Sequence, residues 1–268
     1  MTVFRFRARM FLAIDIGNSL IKFGTYNGTE LVDRFTISTK LDYTVEELAF
    51  DRFHVLDDQF IQLKFDSVYV SSVVPKLNKV IEQLCTKLFK LKAVFVNTTM
   101  DLGLTINYEP KTSLGNDRLV GMFSASKTYG TPFIVCSFGT ATTIDAVSER
   151  SEFLGGLILP GMGTMADSLK RRTAKLPVVR IRKPESLLGN STESAIAAGI
   201  FYAQIAAVEG IVKRIRNERF SSAKKVKIVA TGGFSGLIGQ HSSIFDKVDE
   251  NLVLDGLRLI SEKAMVHK

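Results

Sequence analysis

One hairpin motif occurs twice in this chain, and the duplication constrains the fold more than any other feature. Residues 11–26 read FLAIDIGNSLIKFGTY, and residues 133–147 read FIVCSFGTATTIDAV. Each is an apolar strand, a turn built on Gly17 or Gly139 with small hydroxyl or amide residues, and an outgoing strand. Glycine lets a backbone approach an anion closely, so such a turn can offer N–H groups and hydroxyls to a phosphate. Two of them facing each other across a cleft would hold a nucleotide's phosphate tail. The copies differ two residues before the glycine: Asp15 in the first, Ser137 in the second.

The rest of the pattern extends the repeat. FLAIDIG, IKFGTYNG and LVDRFTIST read as three strands, with an Asn27-Gly28 turn between the last two. Thr44 with Glu47 forms a capping box opening a helical pattern over 44–63. SVYVSSVVP, the helix KLNKVIEQLCTKLF and AVFVNT then make a parallel βαβ unit. A loop, YEPKTSLGNDR, precedes a helix that leads into the second half. There FIVCSFG, TTIDAVS and EFLGGLILPG form a second meander, residues 161–175 look helical, and 191–219 make a long amphipathic helix. VKIVATGG is a buried strand, and SGLIG and LVLDGLRLISEKAMV are helical candidates.

A three-strand meander with a phosphate-binding turn followed by α/β elements, occurring twice, is the architecture of the actin-like ATPases and sugar kinases. The expected fold is α/β: two actin-like (ribonuclease H-like) domains, each a mixed five-stranded sheet flanked by helices, with an inter-domain nucleotide cleft. The domains are expected at 10–128 and 129–268. Residues 1–9, MTVFRFRAR, are read as a leader outside the fold, with Met10 as the natural start.

Charge narrows the partners. Three of the +8 net charges are Arg5, Arg7 and Arg9 in the leader, which leaves +5, and the remaining basic clusters (Lys170 to Arg172, Arg180 to Lys183, Lys224 to Lys227) are scattered. A basic helix face for nucleic acid is not evident, and an anionic small molecule is the better use of the charge. No apolar run approaches the ~20 residues needed to span a bilayer, so no membrane role is expected. Cys85 and Cys136 lie in apolar segments and read as buried thiols in a reducing cytoplasm. Three histidines and two cysteines give no zinc-site spacing.

Asp15 ends a buried strand, where a carboxylate is costly unless it meets donors or a cation such as Mg²⁺; a turn-capping aspartate is the alternative. Gly17, Asn18 and Ser19 would donate to phosphate oxygens, and Lys22 would neutralise them. Asp117 and Arg118 open a helix, whose N-terminus favours anions. An aspartate in reach of an alcohol is the usual base for phosphoryl transfer; here a plain cap paired with Arg118 is the alternative. Thr140 would contact phosphates, and ATGG at 230–233 would border an adenine or simply make a tight turn.

Together these segments resemble type III pantothenate kinases. The match rests on DIGNS (15–19), Tyr108 before LGNDR (114–118), FGTATTID (138–145), GGLILPG (155–161), NSTESAIAAG (190–199) and ATGG, in family order over nearly the whole chain. The resemblance implies ATP-dependent phosphorylation of pantothenate, the first step of coenzyme A biosynthesis, by a cytoplasmic homodimer. It implies ATP contacts at Asp15, Ile16, Gly17, Asn18, Ser19, Leu20, Ile21, Lys22 and Thr140, with Mg²⁺ held through water by Asp15. It implies pantothenate contacts at Tyr108, Gly115, Asn116, Asp117, Arg118 and, across a dimer interface, Thr192. Asp117 matches the proton acceptor. Ser137 departs from the family, which usually has an aspartate there that coordinates K⁺ or ammonium; a serine offers only a neutral oxygen. The rival readings are another small-molecule kinase on the same fold and a degenerate member acting as a regulator.

Overall fold

The computed structural model describes residues 9–53, 64–173, 175–220 and 225–266. The leader residues 1–8 and the second half of the helical pattern expected over 44–63 lie outside them. The strands are β1 (Met10–Ile16), β2 (Leu20–Asn27), β3 (Glu30–Ser38), β4 (Ser67–Ser72), β5 (Ala93–Phe95), β6 (Thr105–Ile106), β7 (Phe133–Phe138), β8 (Ala141–Val147), β9 (Glu152–Pro160), β10 (Lys227–Thr231) and β11 (Lys247–Val248). The helices are α1 (Val45–Phe53), α2 (Pro75–Phe89), α3 (Asn116–Tyr129), α4 (Met162–Arg172), α5 (Thr192–Arg219), α6 (Ser235–Gly239) and α7 (Leu252–Val266).

The chain divides into two compact units, and neither is one continuous stretch of sequence. The first holds the described residues up to Leu102, Thr112–Ser124 and those from Val253 onward; the second holds Gly103–Lys111 and Ala125–Leu252. A single cut after residue 128 therefore does not describe the division. The reason lies in α7, which docks back on the first unit: the Tyr26 hydroxyl donates to Asp255 Oδ1 at 2.8 Å, and the Arg258 guanidinium lies 5.8 Å from the Tyr26 ring centroid.

In the first unit the sheet order is β3-β2-β1-β4-β5, with antiparallel β1–β2–β3 and parallel β1–β4–β5. Strand alternation sends Leu12, Ile14, Ile16, Ile21, Phe23, Val68 and Val70 to one face, where they pack with Leu77, Ile81, Leu84 and Cys85 of α2. Each such side chain contributes roughly 1.5–3 kcal/mol by leaving water. The register puts Asp15, Lys22 and Ser71 on the opposite face, Asp15 being directly paired with both others. The Thr44–Glu47 box forms as expected: Glu47 N donates to Thr44 Oγ1 at 3.1 Å, and Thr44 N to Glu47 Oε2 at 2.9 Å.

In the second unit the order is β11-β10-β7-β8-β9-β6. This is six strands where five were expected. The additions, β6 and β11, are two residues each, too short to show a period of two in sequence. Cys136, Phe138, Ile144 and Ile228 face Ala166 of α4 and Ile200, Phe201, Ile205 and Val208 of α5. Both cysteines are free and buried; burial pushes the Cys85 thiol up to about 12 and that of Cys136 higher still.

α5 corrects one expectation. With 28 residues and a mean hydropathy of 1.7 over its most apolar window, it is long and apolar enough to cross a membrane by length and composition. Its Ala198, Phe201, Ile205, Val208 and Val212 are buried within its own unit, and 39% of that apolar window is buried in all.

Candidate active site

Asp15 is only 7% exposed, and its Oδ1 has no hydrogen-bond partner among the described residues. Burial raises its pKa from 3.8 to about 6; Lys22 across the strand pair opposes this, the charge of Asp117 adds to it, and the Ser71 hydroxyl eases it slightly. The turn that follows is tight. Gly17 N donates to Leu20 O at 3.0 Å, and Thr39 binds it from β3's end, Oγ1 to Gly17 O at 2.7 Å and N to Ser19 O at 2.9 Å. Ile16 and Ile21 are buried in the core, whereas Asn18, Ser19 and Leu20 are exposed. Only backbone groups of Ile16 and Ile21 are therefore open to a ligand contact.

The start of α3 belongs to the same unit. Arg118 is buried, and Asp117 is partly so. Burial raises the Asp117 pKa, with the Arg118 N–H and guanidinium and then Lys22 pulling it back. The Asp117 carboxylate folds over its own helix start, Oδ1 accepting from Arg118 N at 2.8 Å. Gly115 makes room for it: a β-carbon there would stand 2.6 Å from Asp117 Oδ1. Asn116 directs its amide back to the sheet, Nδ2 donating to Ser72 O at 3.0 Å.

In the second unit the turn after β7 is enclosed by the two other glycine motifs. Gly139 N donates to Ala141 O at 3.0 Å and Gly161 N to Thr140 O at 3.0 Å, while Thr164 Oγ1 donates to the same carbonyl at 2.6 Å. From the other side Phe234 N, just past the ATGG segment, donates to Phe138 O at 3.2 Å. Thr140 is exposed. A β-carbon on Gly161 would overlap the Gly139 carbonyl oxygen, so the GGLILPG strand can close on the turn only with glycine there. Gly161→Ala is expected to displace the 139–140 turn and to destabilise the fold by about 1–3 kcal/mol in a denaturant melt. An unchanged melt would show that the turn tolerates the shift.

Ser137 is half-buried and pairs in register with Thr143 on β8 and Thr231 on β10, so its sheet neighbours are neutral hydroxyls. Tyr108 is half-buried against Phe153, ring centroids 5.7 Å apart. Thr192 is the first helical residue after Ser191, which caps α5 through a reciprocal box with Ser194, and it lines an 800 Å³ groove with Pro160, Thr164, Met165 and Leu169.

A sequence model for type III pantothenate kinases matches residues 11–214. The chain belongs to the type III pantothenate kinase family. A relative from Brevibacillus brevis, named type III pantothenate kinase, is 43% identical over 95% of this chain and 99% of its own length. Among solved structures, a Campylobacter jejuni protein described as a candidate Baf family transcriptional activator superposes with a TM-score of 0.55 at 21% identity, covering 95% of this chain and 99% of that one. The activator of 2-hydroxyisocaproyl-CoA dehydratase from Clostridium difficile, solved with bound ADPNP, gives 0.51 at 13% identity over 97% and 98%. These two likenesses bear on the fold alone, which is the actin-like α/β arrangement of two mixed sheets flanked by helices.

In the first unit Asp15, Lys22, Asp117 and Arg118 lie within electrostatic reach of one another, and in the second the 139–140 turn meets the 155–161 segment and the start of the one after 230–233. Sequence reading passed over Ser71 and Ser72. A serine pair ending an apolar strand carries no motif, and only the pairing of β4 with β1 puts Ser71 beside Asp15.

Proposed function

We propose that this chain, like the relatives whose name it shares a family with, transfers the γ-phosphoryl group of ATP to the primary hydroxyl of pantothenate. The observation that carries the reading is the pairing of buried Asp15 with partly buried Asp117, each with a raised pKa, on a family-matching scaffold. Perturbed carboxylates held together by a fold mark a site that manages charge.

The Asp117 carboxylate takes the proton of the pantothenate hydroxyl as that oxygen bonds to the γ-phosphorus and the bond to the β-phosphate oxygen breaks, releasing ADP. Arg118 and the N-terminus of α3 hold the pantothenate carboxylate; the family resemblance assigns further pantothenate contacts to Gly115 on the first unit, to Tyr108 on the second and, donated across a dimer interface, to Thr192. Asn18, Ser19 and Thr140 donate to the phosphates, the backbone from Ile16 to Ile21 lines them, and Lys22 offsets the charge that spreads over the equatorial oxygens. The buried, unpartnered Asp15 Oδ1 fits a divalent cation of the Mg²⁺ type held through water, since such ions take one or two carboxylates and keep several waters. When bound, that ion neutralises phosphate charge.

The hydroxyls at Ser137, Thr143 and Thr231 fit a monovalent cation less well than a carboxylate does, and no step is routed through one. We place the enzyme in the cytoplasm as a homodimer; exposed Leu187 and Leu188 ahead of α5 support an interface there. A coupled assay with pantothenate, titrating K⁺, tests the reading. The wild type is expected to turn over with little response to K⁺, and Ser137→Asp to acquire a response. ATP consumption that ignores pantothenate would exclude the reading, and an unchanged K⁺ response in the variant would remove position 137 from cation binding.

A further inference from the structure

We propose that Asn116 is a positioning residue whose side-chain amide, bonded to the Ser72 carbonyl, fixes the helix start bearing Asp117 to the sheet that carries Asp15. The inference deepens the kinase reading and rests on it. It reassigns Asn116 from the substrate contact implied by family resemblance.

The physical need is local. Asp117 sits in the first turn of α3, where helices fray and where four N–H groups lack intrahelical partners. The preceding backbone is a short 3₁₀ turn, Lys111–Ser113, then buried Leu114 and Gly115, whose carbonyl accepts from Leu119 N at 3.1 Å. The Asp117 carboxylate is held locally by Arg118 N at 2.8 Å, which orients it on the helix start but does not tie that start to the sheet. The Asn116 amide supplies that tie by reaching the Ser72 carbonyl at 3.0 Å.

Ser72 is a rigid anchor. It is the last residue of β4 and only 7% exposed. The next amide, Val73 N, donates to Ile16 O at 3.0 Å, tying this end of β4 to the residue after Asp15. The Ser72 hydroxyl donates to Asn78 Oδ1 at 2.6 Å and accepts from Val74 N at 3.2 Å, which locks the turn into α2. Ser71, one residue earlier, stands beside Asp15 in the parallel register. Two hydrogen bonds, Val73 to Ile16 and Asn116 to Ser72, thus set the separation of the two carboxylates. The charged groups that act on the pair are Lys22 from β2 and Arg118 from α3.

The test is steady-state kinetics of Asn116→Ala with pantothenate and ATP. Loss of the brace is expected to lower kcat about 10- to 100-fold, the scale of an ångström-sized misplacement, with both KM values little changed. Asn116→Gln, which keeps an amide donor, is expected to recover part of kcat. If the alanine variant does not fold, Asn116→Ser, too short to reach Ser72 O yet tolerated at a helix start, gives the same readouts. A raised pantothenate KM with unchanged kcat would make Asn116 a substrate contact and overturn the proposal, as would an unmoved kcat. Should the wild type fail to phosphorylate pantothenate, the kinase reading fails and the brace falls with it. A working wild type, a dead Asp117→Asn and a normal Asn116→Ala would sink the brace alone.

Discussion

Asp117→Asn is expected to reduce kcat by about 10³-fold, within the range that a positioned general base contributes, while ATP affinity stays close to wild type. The asparagine is nearly isosteric, so it can still accept from Arg118 N and fit over Gly115. It cannot accept the hydroxyl proton. It also removes a charge that raises the Asp15 pKa, so the residual activity should extend to lower pH than in the wild type. Single-turnover kinetics and calorimetry with a non-hydrolysable ATP analogue separate the chemistry from binding. Near wild-type turnover would move the base elsewhere.

The second large effect runs in opposite directions for activity and stability. Asp15→Asn is expected to lower kcat/KM by roughly 10²–10³-fold, the scale of a lost electrostatic contact in phosphoryl transfer, yet to make the ligand-free protein more stable at neutral pH. The folded carboxyl, with a pKa of about 6 against an ordinary 3.8, holds its proton more tightly than the unfolded chain does. Asp15 therefore costs the fold little below pH 3.8, an increasing amount as pH rises through 6, and its full penalty above. At 1.36 kcal/mol per pKa unit that penalty is about 3 kcal/mol at most. Removing it should raise the melting temperature by about 2–4 °C per kcal/mol for a chain of this size. The gain should vanish near pH 4. Thermal melts of both proteins at pH 4 and pH 7.5, without nucleotide, decide the matter; a variant less stable than wild type at both would show that Asp15 is a structural cap. A carboxylate retained against this penalty is the stability cost of a working site.

Much of this was legible in the sequence because it is local. Each hairpin, its glycine turn and its apolar alternation lie within about sixteen residues, and the Thr44–Glu47 box spans four. The division into units was not legible: the docking of α7 on the first unit depends on Tyr26 meeting Asp255, 229 residues apart. No periodicity encodes such a contact. The site shows the same limit. Asp15 and Asp117 stand out as carboxylates at a strand end and a helix start, but the two hydrogen bonds that relate them use the backbone carbonyls of Ser72 and Ile16, which every residue possesses. The length of α5 misled in the other direction. Its small and apolar residues read as an amphipathic stripe, yet continue far enough to match a membrane span by composition.

The central claim is that this chain moves a phosphoryl group from ATP to pantothenate with Asp117 as the proton acceptor. The most direct measurement is the transfer of label from γ-³²P-ATP to pantothenate by wild type and Asp117→Asn side by side. The account predicts labelled phosphopantothenate in step with ADP for the wild type and almost none for the variant. Label released only as inorganic phosphate, or equal transfer by both proteins, would contradict it.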